Sequence, residues 1–333
     1  MVFPAGHGPR WWDERNESSP IPGLWPYGLE HLRDLHSVGE FELTPPTTAR
    51  RVRQKFTGNR RRCAGSDSPD VALCWDERTA IGLLGEVKAR RVLSGVIWAT
   101  DQFAAGRDDS YMRLAKKSLC QFDALWCLSQ PQIGKIRDWL GIDCPPVHYL
   151  TFGVDPTFYA AAEYPSPPLV ASVGGDRDRD PHTLLAALTT VRDERPDAAI
   201  VVQSREVDAA PTGIELINSL PHVGVRDLVG RASVVAIATR PNWHASGMTV
   251  ALEAMSIGRP VVACDTPGMA DYISEETGIL VEPGDDQAMA SAVLDLLADP
   301  SRAQSMGAAG QRAVRERFNT TAMCREIAAM AWG

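Results

Sequence analysis

Residues 238–268, ATRPNWHASGMTVALEAMSIGRPVVACDTPG, join one buried strand through a loop to a helix and then to a second buried strand. The first strand ends near Thr239, and the second is the run PVVAC at 260–264. Continuous apolar runs of this length are typical of parallel strands covered on both faces, and the helix between them supplies the crossover. The stretch therefore predicts part of a doubly wound α/β sheet.

The same alternation extends through the C-terminal half and, less regularly, through the N-terminal half. Strands are predicted at 71–75, 92–100, 124–129, 146–153, 169–174, 198–203, 233–239, 260–264 and 278–283. Helices are predicted at 27–38, 110–122, 181–195, 225–232 and 249–257, and again throughout the chain after Pro283, ending with 320–332. Residues 4–26, dense in Pro, Gly and Trp, are expected to be irregular.

The length of the chain indicates two domains. Its 333 residues are too many for one ordinary domain and suit two that each bury a core. The small and Pro-rich segment AAAEYPSPP (160–168) lies between the two strand–helix series. We therefore predict domains at 1–160 and 161–333, with the final helix packing back on the first domain.

Composition and charge exclude several classes of protein. The formal net charge of -8 argues against a general nucleic-acid binder, and hydrophobic content of 44% is that of a globular protein. The seven cysteines form no C-x-x-C pair, which predicts reduced thiols. No apolar run approaches ~20 residues, and the start MVFPAGHGPRWWDER is unlike a signal peptide. We expect a cytoplasmic protein.

The helix start within 238–268 is suited to a phosphate group. Ser246 is predicted to be the N-cap, and Gly247 leaves the backbone bare where Met248 and Thr249 begin the helix. A bare helix N-terminus at the carboxyl end of a strand presents free N–H groups and a positive dipole end.

Glu253 is the only charged residue between Ser246 and Gly258. A carboxylate among apolar neighbours costs several kcal/mol unless it has strong hydrogen-bond partners. The two adjacent hydroxyls of a ribose are one such partner, and a protein arginine is the alternative.

A second strand-to-helix loop, SVGGDRDRDPHTLL (172–185), repeats the pattern. Gly174 and Gly175 free the backbone, and Asp180 is predicted to cap the helix that starts at Pro181. The loop also carries Arg177 and Arg179, which are suited to a diphosphate or, alternatively, balance the neighbouring aspartates.

The same loop contains two D-x-D spacings, at 176–178 and 178–180, which could hold a divalent cation. This spacing is a weak signal, and a complete strand–helix series follows it here. We therefore expect no metal.

At this point the sequence resembles glycosyltransferase family 4, a group of enzymes that retain anomeric configuration and have the GT-B fold. The matching runs are ASGMTVALEAMSIGRPVVACDTPGMADYISEETGILVEPGD (245–285), VRDLVGRASVVAIAT (225–239) and HYLTFGVDPTFY (148–159). The resemblance implies two Rossmann-like doubly wound domains facing across a cleft, with the acceptor side at 1–160 and the nucleotide-sugar side at 161–333.

The resemblance also implies roles at matching positions. Glu253 corresponds to the acid that binds the donor ribose, whereas Ala245 stands where the family has its first acid. His244 is adjacent and could offer a hydrogen bond instead. Arg177 and Arg179 match the family's diphosphate-binding basic pair only approximately, and Asp101 lies where a histidine is common. We take Asp101 as a candidate contact to the sugar or the acceptor; a loop-capping role is the alternative.

The implied reaction moves a sugar from a UDP- or GDP-linked donor to a hydroxyl of a natural product, a glycan or a lipid-linked acceptor. The implied enzyme is a hexosyltransferase that needs neither a cofactor nor a metal. A donor-phosphate oxygen takes the acceptor proton on the same face; a covalent carboxylate intermediate is the other possibility. Two alternatives stay open, namely a nucleotide-sugar 2-epimerase of the same fold and a non-catalytic nucleotide-sugar-binding protein.

Two further features bear on the acceptor. The basic run Arg50–Arg62 predicts either a solvated surface or a peripheral contact with an anionic membrane or lipid-linked acceptor, with nucleic acid as the weakest alternative. Trp11 and Trp12 could stack on a sugar face of the acceptor, or they could pack on the domain.

Overall fold

The computed structural model of the chain describes residues 1–47, 65 and 68–333. It divides into two compact units, of which the first comprises 1–17, 24–151 and 323–333 and the second comprises 18–23 and 152–322. Both units are α/β with parallel sheets, which confirms the predicted fold class.

The first unit contains a six-stranded sheet of order β2-β1-β3-β4-β5-β6. Its strands are β1 (Val2–Phe3), β2 (Phe41–Glu42), β3 (Val71–Cys74), β4 (Arg91–Gly95), β5 (Ala124–Cys127) and β6 (Val147–Tyr149). Its helices are α1 (Pro9–Ser18), α2 (Glu77–Glu86), α3 (Ala99–Ala104), α4 (Ser110–Leu119) and α5 (Gln130–Leu140), with 3-10 turns at Pro26–Asp34 and Gly141–Asp143.

The second unit contains a six-stranded sheet of order β12-β11-β10-β7-β8-β9. Its strands are β7 (Leu169–Ser172), β8 (Ala199–Gln203), β9 (Glu215–Ile217), β10 (Val234–Ile237), β11 (Val261–Cys264) and β12 (Gly278–Val281). Its helices are α6 (Pro181–Glu194), α7 (His222–Gly230), α8 (Met248–Ile257), α9 (Asp286–Ala298) and α10 (Pro300–Glu316), with a 3-10 turn at Met269–Asp271. The last helix, α11 (Thr320–Trp332), begins in this unit and continues in the first.

The order of the second sheet creates a switch point beside β7. From β7 the chain continues to β8 on one side, and β10 pairs with β7 on the other. In open α/β sheets, the crevice outside the carboxyl ends of the strands at such a point is where ligands bind. The predicted glycine loops follow β7 and β10, so the fold brings them to this crevice.

Buried apolar residues of the strands and helices form the core of the second unit. Val170, Ile200, Val234 and Val262 come from four neighbouring strands, and they pack with helix residues that include Leu188. β10 and β11 are buried and apolar along their whole length, as the apolar runs predicted for parallel strands covered on both faces.

Two sequence predictions in the first unit are wrong. The strand predicted at 92–100 ends at Gly95, because the buried Glu77 carboxylate accepts hydrogen bonds from the amides of Ile97 and Trp98 and leads the chain into α3. Residues 4–26, expected to be irregular, contain helix α1.

The domain boundary predicted at residue 160 stays a prediction. The first compact unit runs to Thr151, and the last eleven residues of the chain, 323–333, belong to the same unit. There the Arg91 guanidinium donates to the backbone carbonyls of Met330 and Ala331, which fixes the end of α11 beside β4.

The structure also bears on the expectations for the cysteines and for membrane-spanning helices, but not on the one for the basic run. The six cysteines in the described part of the chain are free thiols. None of the described helices is long and apolar enough to cross a membrane. The basic run Arg50–Arg62 lies outside the described residues.

We expect Ile200→Ala to destabilise the protein by about 2–5 kcal/mol, because it leaves a cavity at a side chain that is 2% exposed in the second core. Ile142→Ala is the matched control, since Ile142 is 101% exposed and should change stability by less than about 0.5 kcal/mol. Urea denaturation followed by circular dichroism measures both. Equal effects of the two substitutions would contradict the assigned core.

Candidate functional site

Backbone hydrogen bonds join the loops that follow β7 and β10. The Asp180 N–H donates to the Ala238 carbonyl at 3.0 Å, and the Arg240 N–H donates to the Asp178 carbonyl at 2.8 Å. Asp180 also caps α6 as predicted, because its carboxylate accepts from the His182 and Thr183 amides. The two loops therefore form one continuous edge at the switch point.

The N-cap of α8 is Gly247, so the prediction that Ser246 caps this helix is wrong. Gly247 has a φ of 91°, and Met248 is the first helical residue. The left-handed conformation that turns the chain into the helix suits glycine. The Ser246 hydroxyl instead donates to the Asp176 carboxylate at 2.8 Å.

No side chain at position 247 would fit without displacing its neighbours. A Cβ there would lie 2.7 Å from Ile237 Cγ2 and 3.1 Å from Arg179 Nη1. Gly174, at φ 111°, similarly lies against the Arg179 guanidinium. The Arg179 guanidinium therefore packs against the backbone of two glycines. No side chain caps the start of α8.

The two predicted arginines occupy different environments. Arg179 is partly buried, and its Nη2 donates to the Val173 carbonyl at 3.2 Å. Its Nε finds no acceptor within the described residues. Arg177 is more exposed and donates from Nε to Asp178 at 3.2 Å. Of the two, only Arg179 lies between the glycines.

Arg179 also lies in the field of two carboxylates. Burial lowers the pKa of its guanidinium, and the negative charges of Asp176 and Glu253 oppose that decrease. A charged donor with an unused N–H beside bare backbone is well suited to an anionic group of a ligand.

Asp176, His244 and Ser246 form a hydrogen-bonded cluster. One carboxylate oxygen, Asp176 Oδ2, accepts from Ser246 Oγ at 2.8 Å and contacts His244 Nε2 at 3.1 Å. Burial opposes ionisation of Asp176, but the His244 and Ser246 contacts outweigh burial and hold its pKa below the ordinary carboxyl range. Asp176 is therefore a fixed negative charge at the switch point.

The same cluster contains the only described group of possible metal ligands. Ligand atoms of Asp176, Asp178 and His244 lie within 4.8 Å of one another. His244 Nε2 is 3.1 Å from Asp176 and 3.8 Å from Asp178, so the imidazole already lies between the two carboxylates. Metal independence stays a prediction.

Ala245 lies between the two residues that contact Asp176. It is 1% exposed and has a φ of 53°, which is uncommon for a residue other than glycine. The Asn242 side chain fixes this turn by accepting from the Ser246 amide at 2.8 Å and donating to the Arg240 carbonyl at 2.8 Å.

Glu253 lies on α8 and is 7% exposed. Burial raises its pKa to about 7, while the Tyr159 hydroxyl and the Arg179 charge oppose the increase. Within the described residues Glu253 forms no ion pair, and the buried Tyr159 hydroxyl beside it makes no hydrogen bond of ordinary geometry. A buried carboxyl and a buried hydroxyl therefore have unused hydrogen-bonding capacity at adjacent positions.

Two more buried hydroxyls near the same edge lack partners among the described residues. These are Thr239 Oγ1, which follows β10, and Thr266 Oγ1, which follows β11. Buried polar atoms are nearly always hydrogen-bonded, so a group of unpaired ones indicates a place for a polar ligand or water.

The predicted residues of the first unit lie on helices. Asp101 is on α3 and is partly buried. Trp11 and Trp12 are on α1, partly buried, with their rings edge to face at 4.8 Å. The Arg15 guanidinium lies 4.6 Å over the Trp11 ring, and the Trp12 indole N–H is buried without a partner among the described residues. Their roles stay predictions.

Sequence reasoning missed two residues of this site. Asp176 attracted notice only as part of a D-x-D spacing, and Tyr159 only as part of the run HYLTFGVDPTFY. Asp176 is 70 residues from Ser246, and Tyr159 is 94 residues before Glu253, so no local periodicity connects them. The signal that could have found Tyr159 was the need of Glu253 for a polar neighbour.

The chain is similar in sequence to known glycosyltransferases. A family model described as Glycosyl transferases group 1 matches residues 167–299. Alpha-maltose-1-phosphate synthase of Mycolicibacterium smegmatis is 28% identical over 55% of this chain and 56% of that protein. A GDP-mannose-dependent alpha-(1-6)-phosphatidylinositol monomannoside mannosyltransferase of Mycobacterium tuberculosis is 30% identical over 44% of this chain and 42% of that protein. The chain thus spans about half the length of these curated relatives.

Solved structures show the same fold. Sucrose-phosphate synthase from Thermosynechococcus elongatus has a TM-score of 0.64 and 19% identity, over 78% of this chain and 72% of that one. Anabaena Alr3699/HepE in complex with UDP-glucose has a TM-score of 0.65 and 16% identity, over 78% of each chain. The fold is that of the GT-B glycosyltransferases. The match over residues 167–299 agrees with the resemblance to glycosyltransferase family 4 that the sequence of this half of the chain predicted.

We expect Glu253→Gln to stabilise the protein above neutral pH. The Glu253 carboxyl has a pKa of about 7 when folded and 4.5 otherwise, so the folded protein holds this proton longer. The stability that the folded protein gains from holding this proton is therefore lost as pH rises from 4.5 to 7, by up to ~3 kcal/mol. The amide of the variant does not titrate and avoids that loss.

Urea denaturation at pH 5 and pH 8 measures this difference. The variant should exceed the wild type in free energy of unfolding at pH 8 and approach it at pH 5. Glu276→Gln is the control, because Glu276 is exposed and its substitution should change the free energy of unfolding by less than about 0.5 kcal/mol at either pH. A constant difference between Glu253→Gln and the wild type would contradict a buried, unpaired carboxyl.

Proposed function

We propose that this chain is a hexosyltransferase that moves a sugar from a UDP- or GDP-linked donor to a hydroxyl acceptor. The proposal rests on two features found together. Glu253 is a buried acid without an ion-pair partner among the described residues, and no side chain caps the helix that starts after Gly247. Retention of anomeric configuration and independence of metal belong to the proposal, as does the two-domain arrangement with acceptor side 1–160 and donor side 161–333.

The diphosphate of the donor binds at the start of α8. There the guanidinium of Arg179 lies against Gly247, the N-cap of α8, and no side chain caps the helix. Both the helix dipole and the arginine favour an anion. Thr249 supplies a backbone N–H group, whereas the N–H of Met248 already donates to the Ala245 carbonyl at 3.0 Å. Gly174 and Gly175 leave room for the phosphates to approach.

The ribose of the donor binds to Glu253. Glu253 lies six positions after Gly247, a rise of ~9 Å along α8 that suits the extent of a nucleoside diphosphate. Adjacent ribose hydroxyls would satisfy the carboxyl of Glu253, whose burial the Tyr159 hydroxyl and the Arg179 charge offset only in part. The Tyr159 hydroxyl offers a further hydrogen bond at the same place.

The reaction depends on electrostatic stabilisation of the leaving group. Negative charge develops on the diphosphate as the sugar departs, and the positive charge of Arg179 and of the α8 N-terminus stabilises it. A donor-phosphate oxygen takes the proton of the acceptor hydroxyl on the same face, which gives retention. The acceptor is a glycan, a lipid-linked molecule or a natural product. Asp101, Trp11 and Trp12 are its proposed contacts, and Arg50–Arg62 provide a peripheral contact with an anionic membrane at the cytoplasmic face.

No observation in the described residues favours the 2-epimerase alternative. The presence of Ala245 in place of the family's first acid is what favours a non-catalytic nucleotide-sugar-binding protein. That alternative predicts donor binding without transfer or hydrolysis, so product analysis by mass spectrometry separates the two.

Thermal-shift screening with UDP-, GDP- and dTDP-sugars tests the proposed donor class, because a bound ligand raises apparent stability according to its affinity. We expect at least one UDP- or GDP-sugar to raise the melting temperature. Glu253→Ala should then weaken that donor at least tenfold in calorimetry, whereas Glu276→Ala, on the exposed surface of the same unit, should leave its affinity unchanged. Unaltered affinity of Glu253→Ala would remove Glu253 from the site.

Activity in excess EDTA tests metal independence. We expect the transfer rate to stay within twofold of the untreated protein, because Arg179 and the α8 N-terminus supply the positive charge. Loss of activity that Mg²⁺ or Mn²⁺ restores would instead assign a metal to Asp176, Asp178 and His244.

A further inference from the structure

We propose that Asp176 binds a hydroxyl of the transferred sugar, and that Ser246 and His244 orient its carboxylate for this contact. The proposal rests on the proposed function, since it concerns the sugar of the same donor. It names a residue that determines which sugars the site accepts.

Among the described residues, side-chain hydrogen bonds reach only one of the two carboxylate oxygens of Asp176. Both Ser246 Oγ, at 2.8 Å, and His244 Nε2, at 3.1 Å, contact the same oxygen, Oδ2. The other oxygen, Oδ1, accepts no hydrogen bond from the described part of the chain. The side chain is 30% exposed, so a ligand can reach it. One oxygen thus fixes the carboxylate, and the second is left for a donor from outside.

The charge of Asp176 determines what can bind there. An ionised carboxylate repels a phosphate and accepts a hydrogen bond from a hydroxyl. Its contacts with Ser246 and His244 favour the ionised form. The hydroxyl-bearing part of a donor therefore suits the free oxygen of Asp176 better than its diphosphate does.

Arg179, the proposed diphosphate-binding residue, also lies near the Asp176 carboxylate. Its charge interacts with both Asp176 and Glu253, so a cationic group lies near two acids of the same site. A nucleotide sugar has matching chemistry, with a diphosphate between two hydroxylated rings. If the diphosphate binds Arg179 and the ribose binds Glu253, the second ring is left for Asp176.

The local chain supports this division of roles. Ala245, between the two residues that hold Asp176, has a methyl side chain that is 1% exposed and cannot hydrogen bond. The carboxylate comes instead from the loop after β7, 68 residues from His244 and 70 from Ser246. The Asn242–Ser246 hydrogen bond holds the turn so that both neighbours of Ala245 point at Asp176.

Asp176→Asn tests the proposal, because the amide oxygen can still accept from Ser246 while the charge is lost. Calorimetry with UDP, GDP, UDP-glucose and GDP-mannose separates the nucleotide from the sugar. We expect the variant to bind the free nucleotide within twofold of the wild type, to bind the matching nucleotide sugar at least tenfold more weakly, and to have a lower kcat. Asp197→Asn, at an exposed aspartate of the same unit that pairs with Arg195, is the control and should change neither affinity.

Ser246→Ala provides a second variant if Asp176→Asn does not fold. This variant should weaken binding of the nucleotide sugar about threefold and leave the affinity for the free nucleotide unchanged, because Ser246 acts by positioning Asp176. If both variants bound the nucleotide and the nucleotide sugar equally more weakly, Asp176 would serve only to connect the two loops. That result would overturn the proposal. A wild-type protein that binds neither nucleotide nor nucleotide sugar would overturn the proposed function itself.

Discussion

The candidate site depends on the packing of one guanidinium against bare backbone. Arg179 lies against Gly174 and Gly247, both of which have positive φ angles and no room for a Cβ. A side chain at either glycine would displace the arginine or the start of α8. The same guanidinium lies in the field of Asp176 and Glu253, so its position links the two loops at the switch point with the buried acid on α8.

The fold explains why these groups meet. The sheet order places β7 beside β10, and the carboxyl ends of these strands are where the two glycine loops begin. Cross-loop hydrogen bonds then hold the loops as one edge. Buried hydroxyls of Tyr159, Thr239 and Thr266 remain without partners among the described residues. This is the pattern of a site that a polar ligand completes, and a nucleotide sugar has the required diphosphate and hydroxyls.

Much of the fold could be predicted from the sequence because buried parallel strands are continuous apolar runs. β7, β8, β10, β11 and β12 all lie within the predicted ranges. β9, with three residues at the edge of its sheet, has no such run and was not predicted. The end of β4 was placed too late, because the Glu77 carboxylate that redirects the chain comes from a different element.

The site could be predicted only in part. Gly247 and Glu253 are recognisable because a bare helix start and a lone acid in an apolar helix are local patterns. The N-cap was misassigned to Ser246, since local propensity cannot show that Asp176, 70 residues away, takes the serine hydroxyl. The one-sided hydrogen bonding of Asp176 likewise depends on tertiary contacts alone.

The most direct measurement is a crystal structure of the chain with UDP or GDP, whichever it binds. The central claim requires phosphate oxygens within hydrogen-bond distance of the Arg179 guanidinium and the first amides of α8, with both ribose hydroxyls on the Glu253 carboxylate. A nucleotide bound at another edge of the sheet, or a Glu253 carboxylate paired with Arg179 and out of contact with the ribose, would contradict the account.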